Sequence, residues 1–270
     1  MKSTIRIASL VVAATVMLTA CNSKKAKQNK APEIKKENVE KEVREFVYPL
    51  PTSFEVTEML NRIEASYILS LSNPATNVDK YFTEKAQAIN LGIYSADLSY
   101  ASTYHQKQET LDFMNASKTL IDKLDISPAL DKNLLEAIEN NLDNKDELVN
   151  VITNSFYNTY EYLNKNDRES VSLLVISGSW VEALYIACHI SEETFSNKEM
   201  VAIIMDQKEP LNQLMTMLEA HAANEDIKST IEDLKILQEI FNSTDAGSIT
   251  MEQLDAIEKN VAVLRDKYVS

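Results

Sequence analysis

Apolar side chains recur every three to four residues from about residue 53 to the end of the chain. This spacing gives one apolar stripe on an α-helix, whereas strands with one buried face alternate apolar and polar residues. Prolines and polar clusters divide the pattern into separate segments. The sequence therefore predicts an all-α protein, a multi-helix bundle of about eight to nine helices.

Start and stop signals set the expected helix boundaries. Thr52 with Glu55, and Thr250 with Gln253, have the spacing of capping boxes, and Ser127-Pro128 has the form of an N-cap followed by a proline. Pro210 either kinks a helix or begins a new one. The predicted helices cover about 52–73, 77–104, 108–124, 127–142, 144–163, 167–190, 196–209 with its continuation past Pro210, 226–241 and 250–267.

Residues 171–190 are apolar on nearly every side, which is typical of a helix inside a large protein or a membrane. Glu182 and His189 interrupt the run, so it falls short of the roughly 20 uninterrupted apolar residues of a membrane span. We expect a buried central helix. Residues 89–101 form a related stretch, and the chain is expected to be organised around the two.

The two stretches share a small pattern: a glycine, an aromatic residue two positions later, then leucine and alanine. In the first these are Gly92, Tyr94, Leu98 and Ala101, and in the second Gly178, Trp180, Leu184 and Ala187. The pattern suggests two duplicated four-helix halves, 74–165 and 166–270, within a single helical domain at 51–270. Coincidental likeness of two buried helices is the alternative, and the short, degenerate match favours it over duplication. Glycine inside a helix costs about 1 kcal/mol relative to alanine, so close packing of the two helices, or a ligand against the exposed backbone, is expected at Gly92 and Gly178.

Charge and composition narrow the classes of partner. The chain has only 3 glycines and 6 prolines, too few for a fold with many tight turns. Its net charge is −14, and from Phe46 onward acidic residues outnumber basic ones by about two to one. Such a surface repels nucleic acid and favours a basic or protein partner, or serves solubility alone.

The first residues have the order of an export signal. Lys2 and Arg6 precede an apolar run at 7–18, which is too short for a membrane span, and Leu18-Thr19-Ala20-Cys21 follows. These four residues resemble the lipobox of bacterial lipoproteins. The resemblance implies a signal peptide at 1–20, cleavage before Cys21, and a diacylglyceryl anchor on the Cys21 thiol that holds the protein to a membrane.

Residues 21–50 are rich in lysine and glutamate and poor in apolar side chains, which predicts a flexible tether. Surface-directed lipoproteins of Bacteroidota carry an acidic stretch directly after the cysteine. Here residues 22–27 read Asn-Ser-Lys-Lys-Ala-Lys instead. This difference favours a position on the outer membrane that faces the periplasm.

The candidate binding residues lie on the two central helices. Glu182, Tyr185 and His189 share one helix face, and Asp97 shares another with three tyrosines. If the two faces meet, they form either a satisfied internal network or a pocket for a small polar or cationic ligand. The full candidate set is Tyr94, Asp97, Tyr100, Tyr104, Trp180, Glu182, Tyr185 and His189.

Other chemistry has little support in the sequence. His105, His189 and His221 are not spaced as metal ligands, and no phosphate-binding loop or nucleophile elbow is present. Cys188 lies in the apolar central stretch, as expected of a packed thiol. We expect no metal, cofactor or catalytic residue. Two hypotheses remain: a non-enzymatic scaffold or binding module, and a small-ligand-binding or catalytic protein centred on Asp97, Glu182 and His189.

Overall fold

The computed structural model describes residues 53–130, 132–191, 196–244 and 249–270. These residues form ten α-helices and no strand, which confirms the predicted all-α class. The helices are α1 (Ser53–Arg62), α2 (Glu84–Thr103), α3 (Lys107–Lys123), α4 (Leu134–Asn141), α5 (Lys145–Lys165), α6 (Glu169–His189), α7 (Lys198–Met205), α8 (Lys208–Ala220), α9 (Glu225–Asn242) and α10 (Met251–Val269). The predicted signal peptide, Cys21 and tether lie outside the described residues.

Helix α6 is the centre of the bundle. It packs along α2, and α1, α5, α7, α8, α9 and α10 surround the rest of its surface. Among the described helices it alone is long and apolar enough to cross a membrane, yet nearly all of it is buried by the helices around it. Its uniform apolar character is therefore that of a core helix.

Helices α2 and α6 approach each other through their two glycines. A Cβ atom placed on Gly92 would lie 1.9 Å from the carbonyl oxygen of Val175, and one placed on Gly178 would lie 1.9 Å from the carbonyl oxygen of Ile89. Each glycine thus seats a backbone carbonyl of the opposite helix. The close packing expected at both glycines is confirmed.

The apolar core is continuous. Its buried members run from Val56 to Tyr268 and form one cluster to which every α-helix contributes. Both of the predicted halves contribute residues to this cluster. Their origin by duplication stays a prediction. Because the core closes within residues 53–270, we expect this part of the chain to fold without the residues before it.

Four helices end in a left-handed residue that is not glycine. Glu64, His105, Asp125 and Asp167 have φ values of 56 to 62° and follow α1, α2, α3 and α5. In each case the next residue donates its backbone N–H to a carbonyl five residues earlier, as Ala65 does to Leu60 at 3.1 Å. These are Schellman motifs without their usual glycine. They turn the chain sharply at positions that the sequence does not mark.

The first predicted helix is too long. Its apolar spacing continues through Ile63, Tyr67 and Leu71, but α1 ends at Arg62 and a short 3₁₀ turn at Leu69–Leu71 follows an irregular stretch. Tertiary contacts override the local pattern here. The N–H of Ile68 donates to the Tyr100 hydroxyl at 2.8 Å, which holds this segment against α2.

Two other boundaries also differ from prediction. The second helix was expected from residue 77, but a 3₁₀ segment (Ala75–Lys80) and extended Tyr81 precede α2, whose N-cap is Thr83. The fourth was expected from Ser127, but Ser127–Ala129 forms a 3₁₀ turn that ends at extended Leu130. Near Pro210 a new helix does begin, at Lys208, and the capping box of Thr250 and Gln253 is confirmed.

Candidate functional site

The Glu182 carboxylate lies at the middle of α6, is 0% exposed, and is paired with Arg265 of α10. Arg265 Nε donates to Oε2 at 3.0 Å and Nη2 donates to Oε1 at 3.0 Å. Nη2 also donates to the carbonyl oxygen of Leu71 at 2.9 Å. This two-bond pairing neutralises the buried charge and fixes the Leu69–Leu71 turn against the core.

Asp97 of α2 lies beside this pair and is also 0% exposed. Its Oδ2 accepts the N–H of Asn73 at 3.1 Å, and its carboxyl group also lies within reach of the Ser72 hydroxyl and the Glu182 carboxylate. Burial, and then the negative charge of Glu182, raise the pKa of Asp97 well above its ordinary value. Burial also raises the pKa of Glu182, but the Arg265 guanidinium opposes that change. We therefore infer that Asp97 is the protonated member of this carboxyl pair and that Glu182 is ionised. The protonated Asp97 carboxyl can then donate a hydrogen bond to Glu182.

This assignment predicts a pH dependence. A group with a raised pKa in the folded state stabilises the fold at low pH and loses that contribution as pH rises through the raised pKa. Asp97→Asn keeps the shape, can donate to Glu182 and never ionises. The variant is expected to gain stability relative to the parent as pH rises from 4 to 8, measured by urea unfolding at several pH values.

A matched control for that experiment is Asp112→Asn, because Asp112 lies on the surface of α3 and accepts from Gln108. The difference in unfolding free energy between this variant and the parent should stay nearly constant over the same pH range. If Asp97→Asn instead loses stability relative to the parent with rising pH, Asp97 is ionised and the proton assignment is wrong.

Two of the candidate tyrosines, Tyr94 and Tyr100, bind the segment that precedes α2, and the third, Tyr104, is the C-cap residue of this helix. Tyr94 donates its hydroxyl to the carbonyl oxygen of Pro74 at 2.9 Å, and Tyr100 accepts the N–H of Ile68. The rings of Tyr100 and Tyr104 meet edge to face at 5.1 Å. The hydroxyls of Tyr94 and Tyr100 are thus engaged with the backbone of the chain itself.

Tyr185 and His189 face α10 together with Glu182. The Tyr185 ring lies between the His189 ring, 4.2 Å away, and the Arg265 guanidinium, 4.7 Å away. His189 Nδ1 is 2.8 Å from the carbonyl oxygen of Tyr185, and Nε2 is 3.7 Å from Glu258. The predicted shared face is therefore the contact surface between α6 and α10.

Trp180 stands apart from the other candidates. Its buried ring packs edge to face on Phe241 of α9 at 6.4 Å. The structure thus brings Asp97, Glu182, Tyr185 and His189 onto adjoining surfaces but directs Trp180 elsewhere. A ligand-binding role for these residues stays a prediction.

Arg265 is the residue of this network that the sequence analysis missed. It is 7% exposed and lies beside Val261, Leu264 and Tyr268, which form the buried side of α10. A charged residue within an apolar helix stripe was the available signal, because a buried charge needs a partner.

A cavity of about 70 Å³ lies on another side of the two central helices, between α2, α3, α5 and α6, and is partly open to solvent. Ser53 of α1 and Ile138 of α4 complete its lining. Leu91, Ser95, Leu98 and Ser99 of α2 line it, and Asp97 projects to the other side of that helix. Glu182 is also absent from its lining. Its other apolar walls come from Met114, Ile121, Ile152, Phe156 and Val175.

Serine and threonine hydroxyls are unusually frequent in the cavity wall. Most of those that form a bond donate to a carbonyl of their own helix, as Ser95 does to Leu91 at 2.7 Å and Thr159 does to Ser155 at 2.9 Å. Ser117 of α3 is 4% exposed, and its hydroxyl has no partner among the described residues. The sequence signal for this wall was hydroxyl residues four apart on an apolar helix, such as Ser95 and Ser99.

Within the described ranges, histidine, cysteine, aspartate and glutamate side chains form no group suited to a metal ion. Cys188 is buried, and burial raises the pKa of its thiol. Comparison with protein-family models, with curated proteins and with solved structures finds no match for this chain. A function for this chain therefore has to be inferred from the geometry of the described residues and from the lipobox-like residues 18–21.

Proposed function

We propose that this protein is a non-enzymatic binding module, held to the outer membrane by a lipid on Cys21 and facing the periplasm. The observation that supports binding is the cavity between α2, α3, α5 and α6, since concave sites lined mainly by apolar residues with a few polar groups are typical of small-ligand sites. Its rigid helical body suits a module that binds or presents a partner.

The anchor rests on the signal-like residues 1–21 and on the helix packing. In the part of the chain that the structure describes, the one helix apolar enough to enter a bilayer is α6, which is enclosed by the bundle. A lipid on Cys21 supplies membrane attachment without exposing that helix. The acidic body favours a basic or protein partner over nucleic acid.

A second candidate is a small polar or cationic ligand beside Asp97, Glu182 and His189. The observation that favours it is the pair of neighbouring carboxyl groups, Asp97 and Glu182, next to one guanidinium group, that of Arg265. Arg265 already supplies the cation at this place, and both carboxylates are fully buried. The cavity is therefore the better supported site.

Cys21→Ala is expected to abolish lipid attachment and either to release the protein from the outer membrane or to strand it as an unprocessed precursor, because the proposed anchor is the lipid on Cys21. Incorporation of labelled palmitate and sedimentation with outer membranes after a high-salt wash measure the two effects. Cys188→Ala is the matched control, since Cys188 is the only other cysteine. A Cys21→Ala protein that loses its label but still sediments with outer membranes would place the anchor elsewhere.

A further inference from the structure

We infer that the cavity between α2, α3, α5 and α6 binds a neutral, slender aliphatic molecule that carries a hydroxyl group, such as a medium-chain alcohol or the end of a neutral lipid. The inference deepens the proposed binding function and rests on it. It assigns both the place of the site and the chemical class of its ligand.

The residues that line the cavity determine which net charge its ligand can carry. The cavity lining, which lies wholly within the described residues, contains no lysine, arginine, histidine, aspartate or glutamate. An ion enclosed there would lose its hydration without gaining a counter-charge, which is strongly unfavourable. Fatty acid anions and alkylammonium ions are therefore poor ligands, although both fit the apolar part of the wall.

The serine and threonine hydroxyls of the cavity wall indicate which polar group the ligand carries. Ser95 and Thr159 donate their protons to carbonyls of their own helices, at 2.7 and 2.9 Å, so their oxygens are left as acceptors. Ser99 donates in the same way at 2.9 Å, but its oxygen already accepts from the Ser53 hydroxyl at 3.3 Å. The Ser117 hydroxyl has no protein partner among the described residues and can donate or accept. A wall that offers acceptor oxygens together with the unpartnered Ser117 hydroxyl suits a ligand that both donates and accepts, as an alcohol does.

The route into the cavity runs beside α5. Its wall residues Thr153, Ser155 and Phe156 are half-buried, whereas Leu91 of α2 and Met114 of α3 on the other walls are buried. Helix α5 therefore covers the cavity and carries its rim. The hydroxyl end of an aliphatic alcohol can enter first at this rim and reach Ser117, while the remainder of a larger molecule stays outside.

The test uses three probes of equal chain length: octan-1-ol, octanoate and octylammonium. Each is titrated calorimetrically into the unlipidated mature chain, residues 22–270, because the core closes within residues 53–270. Octan-1-ol is expected to bind with a negative heat-capacity change and to raise the melting temperature. Octanoate and octylammonium are expected to bind at least tenfold more weakly.

Three variants locate the site. Ser117→Ala removes the unpartnered hydroxyl and should weaken octan-1-ol binding about three- to tenfold, the typical value of one hydrogen bond. Ser117→Leu fills the cavity and should abolish binding. Thr153→Phe fills it from the rim, and replaces Ser117→Leu if that variant does not fold. Thr119→Val is the matched control, because Thr119 is half-buried on the same helix, does not line the cavity and donates its hydroxyl to the carbonyl oxygen of Asn115 at 2.9 Å.

The outcomes separate the inference from the proposed function. Octan-1-ol binding that is lost in the filled variants and kept in Thr119→Val supports the inference. Preferred binding of octanoate or octylammonium that the filled variants block overturns the ligand class but leaves a binding module. Octan-1-ol binding that survives both filled variants overturns the site, and absence of binding by all three probes overturns the inference. The membrane anchor is tested separately by Cys21→Ala and is unaffected by each of these results.

Discussion

Gly178→Ala is expected to destabilise the protein by about 3 kcal/mol or more, at or above the upper end of the usual cost of overpacking. The added methyl group would lie 1.9 Å from the Ile89 carbonyl oxygen, and that atom belongs to a helix backbone that cannot rotate away. The gain in helix propensity, about 1 kcal/mol, is too small to offset the clash. Gly92→Ala should behave alike, because its methyl group would meet the Val175 carbonyl oxygen.

Chemical unfolding measures this effect, and Ser177→Ala is the control. Ser177 is the preceding residue on α6, is fully buried and bonds to the Leu173 carbonyl oxygen at 2.8 Å. It receives the same new side chain without a steric conflict, so its stability should change by no more than about 1 kcal/mol. Equal stability of Gly178→Ala and Ser177→Ala would contradict the close contact of α2 and α6.

Arg265→Met is expected to cost about 3 to 5 kcal/mol, because it leaves the Glu182 carboxylate buried without its partner. Methionine keeps most of the aliphatic volume, so the loss reports on charge and hydrogen bonds more than on packing. Glu182→Gln should cost less, because the neighbouring Asp97 can then ionise and interact with Arg265.

The double variant Glu182→Gln with Arg265→Met measures the coupling free energy between these two residues. Removing the stranded carboxylate should restore part of the stability that Arg265→Met loses, so the two single effects should not add. Lys267→Met is a surface control on the same helix, since Lys267 is exposed and pairs with Asp233. Its cost should stay below about 1 kcal/mol. Additive single effects would show that Glu182 and Arg265 are not energetically coupled.

The central helices were the most predictable part of the fold. Residues 171–190 lack a polar side, and this alone predicts that α6 is buried inside the bundle. Gly92 and Gly178 signalled close packing because glycine is unfavourable inside a helix unless the backbone needs the space. The face shared by Glu182, Tyr185 and His189 followed from helix geometry, but its partner did not. Arg265 is 83 residues from Glu182, and no local pattern connects them.

Helix ends were predicted less well, and the reason is physical. A helix usually ends at glycine when its last turn needs a left-handed residue. This chain uses Glu64, His105, Asp125 and Asp167 instead, each at a cost of about 1 kcal/mol. Tertiary contacts outweigh that cost, and such contacts are not visible in a local window. Apolar spacing therefore continued past Arg62 in the sequence although the helix ends there.

The cavity was beyond prediction because it is a property of four helices together. Ser95, Thr159 and Ser117 each look like an ordinary small residue on an apolar stripe. The hydroxyls of these three residues line one cavity only when the helices that carry them are packed together in the bundle. A single sequence contains the periodicity of each helix but not the gap left between them.

The buried carboxylate of α6 also bears on export in the proposed pathway. A chain crosses the inner membrane unfolded, and there α6 is a segment long and apolar enough to be retained in the bilayer. Glu182 near its centre raises the free energy of insertion by about 2.5 to 3.5 kcal/mol on translocon scales. Arg265 follows 83 residues later, so this carboxylate is still unpaired when α6 meets the membrane. In the proposed export pathway, the residue that joins α6 to α10 in the folded body would thus also disfavour retention of that helix in the bilayer.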